Sequence, residues 1–193
     1  AAIRQNISLC RCNRFRPRFA SVQQIQASVF AFAAIRQDGS VVTWGHPHYG
    51  GDSSDVQHQL ASVQQIQATE SAFAAIRQDG SVVTWGSPDV GGDSSDVQHQ
   101  LVSVQQIQAT VGAFAAIRQD GSVVTWGSPD VGGDSSDVQH RLASVQQIQA
   151  TVRAFAAESA FTAIRQDGSV VTWGHPDAGS DSSDVQHEVR AFA

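Results

Sequence analysis

The sequence contains no lysine and no methionine, and its only cysteines are Cys10 and Cys12. A Cys-x-Cys pair closes a disulfide poorly. No distant cysteine is present to pair with either, so nothing points to an oxidising compartment. Metal binding by the pair needs further ligands, and none lies nearby in the sequence. No apolar run approaches the roughly 18 residues of a membrane span. The opening Ala1-Ala2-Ile3-Arg4-Gln5-Asn6 is too polar for a signal peptide. Asn6-Ile7-Ser8 spells a glycosylation sequon, read here as a chance match because no secretion signal accompanies it. These absences favour an intracellular protein, cytoplasmic or nuclear, with no membrane partner. The first residue is Ala1 rather than methionine, which suggests a processed or trimmed chain or, the reading we prefer, a fragment.

Positive charge is carried by arginine alone, and unevenly. Residues 1–20 hold Arg4, Arg11, Arg14, Arg16 and Arg18 with no acid. Beyond them, seven arginines face 18 acids, a net charge of −11. A surface of that sign repels phosphate backbones, so the bulk of the chain is disfavoured as a nucleic-acid binder. Hydrophobic residues make up 41% of the 193 positions, which supports a packed core and argues against wholesale disorder.

What is present above all is repetition. Val-Val-Thr-Trp-Gly recurs with its tryptophan at Trp44, Trp85, Trp126 and Trp173, spaced 41, 41 and 47 residues apart. Ser-Val-Gln-Gln-Ile-Gln-Ala and Asp-Ser-Ser-Asp-Val-Gln-His each recur four times in the same order. The longer last spacing holds an insertion around Ala154–Gln166. Four units follow, at about residues 20–60, 61–101, 102–142 and 143–193, after a degenerate segment 1–19. That segment, with its arginines, reads as a decayed or mis-assembled repeat, with a basic localisation or nucleic-acid patch as the alternative.

The unit 61–101 can be parsed physically. Val63–Ala68 is β-compatible. Phe73–Gln78 and Ser81–Gly86 flank Asp79-Gly80, the residues of a two-residue type I′ hairpin turn. That register places Ile76 opposite Val83 and Ala74 opposite Trp85, all on one sheet face. Phe73, Ala75, Arg77, Val82 and Thr84 fall on the other. Both faces are largely apolar, as sheets stacked against sheets require. Ser87–Gly92 is loop chemistry. Asp93 then reads as the N-cap of a two-turn helix, with Val97 and Leu101 forming its apolar stripe. A unit of this size buries too little apolar surface to stand alone, so neighbours must stack. The expected fold is mainly β: a propeller-like tandem repeat whose unit is a hairpin, an extra strand and a short helix.

Phe73-Ala-Ala-Ile-Arg-Gln-Asp-Gly-Ser-Val-Val-Thr-Trp-Gly86 resembles the signature hairpin of the regulator of chromosome condensation repeat family. The resemblance covers all four units, roughly residues 20–190. It implies β-propeller blades marked by the turn glycines Gly39, Gly80, Gly121 and Gly168 and by the four tryptophans. The units are shorter than the family's usual repeat, nearer the short blades of propeller-type β-lactamase inhibitor proteins. Seven blades close a ring in that family, so four imply an incomplete or open propeller, with exposed blade edges that invite self-association. The chain begins and ends within the first strand of a hairpin, in keeping with a piece of a longer protein. The family's plant ultraviolet receptor senses light through a Gly-Trp-Arg-His-Thr motif that is absent here.

Candidate chemistry is sparse. Ser95 and His99 would be neighbours on a helix, but the same set occurs in every unit, whereas catalysis needs one pre-organised constellation. His46 and His48 near Asp52 suggest at most a weak metal site, and loop variation is the simpler reading. Gly50-Gly51-Asp52 has the look of an anion cradle, yet Asp52 would repel phosphate. We therefore expect no enzyme activity, no metal and no cofactor. The expected function is a protein-interaction scaffold, the partner unspecified, contacting it through loops 47–54, 88–95, 129–136 and 176–183. Those loops present Asp52, Asp89, Asp93, Asp130, Asp134, Asp177 and Asp181. The alternative is a fragment of a larger propeller that regulates a small GTPase or recruits substrates to a ubiquitin ligase. A third reading is a decayed repeat product without retained activity.

Overall fold

The computed structural model of the chain describes residues 21–151 and 159–180. Segment 1–19, Asp181 and part of the insertion lie outside the described residues. The described chain folds into four three-stranded antiparallel sheets, one per repeat. Blade one comprises β1 (Val22–Ala27), β2 (Ala31–Arg36) and β3 (Val41–Gly45); blade two, β4 (Val63–Ala68), β5 (Ala72–Arg77) and β6 (Val82–Gly86). Blade three comprises β7 (Val104–Ala109), β8 (Ala113–Arg118) and β9 (Val123–Gly127); blade four, β10 (Val145–Ala150), β11 (Ala160–Arg165) and β12 (Val170–Gly174). Each sheet follows chain order, and each first strand approaches the first strand of the next blade. The result is an open arc of propeller blades.

The glutamine-rich strand solves a spacing problem. Val63 and Ile66 are both buried although three apart, which a period of two cannot place on one face. The register of β4 on β5 shifts between Val63 and Gln65, a bulge that absorbs Gln64. The same shift occurs in β1, β7 and β10.

The hairpin turn differs from the expected one. Gly80 N–H donates to the carbonyl of Arg77, and Arg77 N–H to that of Ser81, so the loop has three residues, Gln78, Asp79 and Gly80. Only Gly80 takes a positive φ, +77°, whereas a type I′ turn requires it at two positions. Asp79 Oδ1 instead accepts from the N–H and hydroxyl of Ser81, at 3.0 and 2.6 Å, which holds the aspartate in the turn's right-handed part. The extra loop residue slides the register by one. Phe73 pairs with Trp85, and Ile76 with Val82. The expected faces are corrected accordingly: Phe73, Ala75, Val83 and Trp85 share one face, Ala72, Ala74, Ile76 and Val82 the other.

The expected α-helix from Asp93 is also corrected. Two single 3-10 turns, Pro88–Val90 and Gln98–Gln100, occupy the region after β6. Between them the backbone is drawn back to the sheet. Ser94 Oγ lies 2.9 Å from Thr84 Oγ1 and donates to Gln98 Oε1. Gln98 Nε2 donates to the carbonyl of Val82 at 3.0 Å. These side-chain bonds compete with a continuous helical ladder. Leu101 is still fully buried and Val97 packs beside it, so the apolar pair finds the core by another route.

The core consists of three seams between blades. Ala31, Ile35 and Val41 of blade one pack on Ile66, Phe73 and Trp85 of blade two, and the pattern repeats at the next two seams. Backbone links close the rims. Val63, Val104 and Val145 N–H donate 2.9 Å to Gly39, Gly80 and Gly121 of the preceding blade. A Cβ on Gly80 would lie 2.9 Å from Ser103 Cα, so this approach has no room for a side chain.

Candidate functional site

The loops after β3, β6 and β9 and the tryptophan strand of the following blade enclose one open cleft per seam. The first, about 430 Å³, lies between Pro47–Val56 and Thr84–Pro88; the second and third measure about 610 and 350 Å³. Each loop begins with proline at the first position of a 3-10 turn, which suits its fixed φ and missing N–H. A glycine in the left-handed region ends each turn: Gly50, Gly91 and Gly132. The close approach there concerns the seam itself. A Cβ on Gly50 would fall 2.5 Å from Phe73 Cδ2, one on Gly91 2.6 Å from Phe114 Cδ2, and one on Gly132 2.6 Å from Phe161 Cδ2. Each glycine thus forms a cradle for the next blade's phenylalanine ring. That ring stacks on its own blade's tryptophan, with centroids 5.2 Å apart for Phe73 and Trp85. The indole N–H groups of Trp85, Trp126 and Trp173 donate to the carbonyls of Gly50, Gly91 and Gly132 at 3.0–3.1 Å. These three indoles are 4–5% exposed. Trp44 is half-buried and stacks on Phe32.

Carboxylates dominate the cleft walls. Asp52 and Asp55 line the first, Asp89, Asp93 and Asp96 the second, and Asp130, Asp134 and Asp137 the third, and among the described residues no arginine lines any of them. In the first cleft His48 stands at the position of Asp89. Of the aspartates expected in the contact loops, Asp52, Asp89, Asp93, Asp130, Asp134 and Asp177 are all exposed on the surface. Hydrogen bonds from the Ser54, Ser95 and Ser136 backbone N–H groups hold the carboxyls of Asp52, Asp93 and Asp134 below the ordinary value. Asp52, Asp93 and Asp134 therefore present fixed negative charge at neutral pH, one in each cleft. Asp55, Asp96 and Asp137 also line the clefts, although they fall one residue beyond the expected contact loops. The repeated Asp-Ser-Ser-Asp string was the available signal.

The remaining sequence candidates fall elsewhere. Ser95 is exposed, with its N–H on Asp93 at 2.9 Å, and the serine that turns inward is Ser94. The rings of His46 and His48 lie 5.7 Å apart, and among the described residues no cluster of three metal-ligating side chains forms. Gly51 packs against the backbone of Gly45 and His46, which closes the supposed anion cradle from one side. Among the described residues, no helix is long and apolar enough to cross a membrane.

No protein-family profile matches the chain, and no curated protein does. Solved structures do. Human WBSCR16 shares 16% identity with a TM-score of 0.55, over 79% of this chain and 47% of its own. Prp20p from Saccharomyces cerevisiae shares 15% identity with a TM-score of 0.53, over 79% of this chain and 45% of its own. A second structure of the yeast protein, yeast RCC1 (Prp20) bound to Kap60, gives the same TM-score of 0.53. The chain spans less than half the length of each. At these identities the likeness concerns the fold: the chain is an open arc of β-propeller blades similar to those of regulator of chromosome condensation-like proteins.

Proposed function

We propose that this chain is a non-enzymatic protein-interaction platform that receives a positively charged segment of its partner across the inter-blade clefts. The observation that carries the reading is the recurrence of one acidic cleft at three successive seams. A repeat array turns such recurrence into an extended surface, and a ligand that engages several equivalent clefts gains avidity from each. The Thr84 and Ser94 hydroxyls, bonded to one another and to Gln98, hold the loop to the sheet, and the carboxylates supply the charge that recognises the ligand. The test is binding of arginine-rich peptides of increasing length to the intact chain, followed by fluorescence anisotropy at rising salt. Affinity should grow with length and fall with salt. A flat response to both, together with an empty pull-down, would remove the proposal.

A second reading draws on the likeness to Prp20p, which binds Gsp1p and histones. On that reading the chain is part of a larger propeller that acts on a small GTPase. A nucleotide-release assay over a panel of GTPases separates the two. Accelerated release favours the second reading, and silence the first.

A further inference from the structure

The two ends of the arc present the two halves of a seam. On blade one, Ile25 is 53% and Phe32 42% exposed, whereas their counterparts Ile66, Ile107 and Ile148 and Phe73, Phe114 and Phe161 are fully buried between blades. On blade four, Ile164 is 38% exposed, whereas Ile35, Ile76 and Ile117 are buried. Gly179 ends its 3-10 turn with φ +91° and donates to Pro176, as Gly50, Gly91 and Gly132 do to their prolines. Those three glycines each hold a phenylalanine ring of the following blade, but a Cβ placed on Gly179 would meet nothing within 4 Å among the described residues. The cradle is thus built a fourth time, with the same backbone. Blade one, in turn, carries at Phe32 the ring that such a cradle takes, already stacked on its tryptophan at 5.3 Å.

We propose that a second copy of this chain docks head to tail, its blade-one face covering the blade-four face of the first. The occupant follows from the internal seams, where the same two faces meet three times in one chain. Phe32 of one copy enters the Gly179 cradle of the other and packs beside Ile164. On this face Ala160, Ile164 and Val170 repeat Ala31, Ile35 and Val41, whereas Thr162 stands where blades one to three carry Ala33, Ala74 and Ala115, and the smaller Ala178 stands where they carry Tyr49, Val90 and Val131. A head-to-tail contact is heterologous and either closes or propagates. In the closed form of this contact two copies bring eight described blades, within the roughly 4–8 of closed propellers, and share two identical seams.

The test is mass by light scattering during gel filtration of the full chain, at about 50 µM. The wild type should run at twice the chain mass. Phe32→Arg and Ile164→Arg each break both seams of a pair and should run as monomers, with far-UV circular dichroism unchanged because both side chains are exposed. Serine replaces arginine at either site if that spectrum is lost. Mixing the two variants restores one intact seam, made by Phe32 of the Ile164→Arg copy and the cradle of the Phe32→Arg copy, so a dimer should reappear. A monomeric wild type overturns the proposal. So does a dimer that survives either substitution, or a mixture that stays monomeric.

Discussion

The indole nitrogen of Trp85 donates a 3.0 Å hydrogen bond to the carbonyl of Gly50, one blade earlier in the chain. The bond is buried and joins two sheets that share no strand pairing, so the residue reports on the seam rather than on its own blade. Trp85→Phe keeps a ring on Phe73 but strands the Gly50 carbonyl, and a loss of about 1–3 kcal/mol is expected. Trp85→Ala removes the ring as well and should lose about 3–5 kcal/mol. Urea unfolding monitored at Trp126 and Trp173 checks both, and equal losses for the two variants would show that the hydrogen bond dominates.

Ser62, Ser103 and Ser144 sit at the entrance of the first strands of blades two to four with φ of +55° to +56°. A left-handed conformation costs an L-residue about 1–2 kcal/mol. Ser103 is exposed, and its backbone carbonyl, not its side chain, accepts from Gln119 N–H. Ser103→Gly should therefore stabilise the chain by up to about 1 kcal/mol, the relief being partly offset by glycine's greater freedom when unfolded. Ser103→Val should destabilise by more than that, since a β-branched side chain tolerates the conformation least. Thermal melts of the two variants should move in opposite directions.

Much of this was legible because repetition and alternation report directly on sheets: the number of units, three strands in each, and blades leaning on blades. The turn was misread by one residue. Asp-Gly serves both a two-residue loop and a three-residue loop that ends in a left-handed glycine. The choice is made by the Ser81 hydroxyl and N–H binding Asp79, which no local pattern reveals. The same slip exchanged the faces of Phe73 and Ala74. The Asp93 segment carries sound helix-start residues, yet Thr84, ten positions earlier, captures Ser94 and holds the loop to the sheet. The clefts were hidden for a related reason. Asp96 and Pro129 face one another only when two blades are stacked.

Acid should loosen the turns in a predictable window. Asp38, Asp79 and Asp120 lie below the ordinary aspartate value of 3.8, chiefly through the hydroxyl and N–H of the following serine, with a smaller contribution from Arg36, Arg77 and Arg118. A carboxylate whose folded value is depressed stabilises the fold above its unfolded value. It loses that contribution as pH falls through the folded one. Melting temperature should be level above about pH 5 and fall as the solution is taken below about pH 4. Replacing the three aspartates with asparagine keeps an acceptor for each serine N–H but removes the titration. The triple variant should melt lower at neutral pH and vary less in acid, and a parallel acid response in both proteins would place the sensitivity elsewhere.

The second cleft offers the sharpest check on recognition by charge. Asp89, Asp93 and Asp96 line it without a basic neighbour in its walls. Asn at the three positions preserves size and, at Asp93, an oxygen to accept the Ser95 N–H. Folding should survive, because exposed polar exchanges of this kind shift stability by about 0.5 kcal/mol or less. Each exposed charge pair with a bound arginine is worth roughly 0.2–1 kcal/mol, so losing three should weaken an arginine-rich peptide by about tenfold at low salt. Because screening has already suppressed those pairs at high salt, the wild type and the variant should converge there. A tenfold loss that persists at high salt would mean that the aspartates shape the loop and do not meet the ligand's charge.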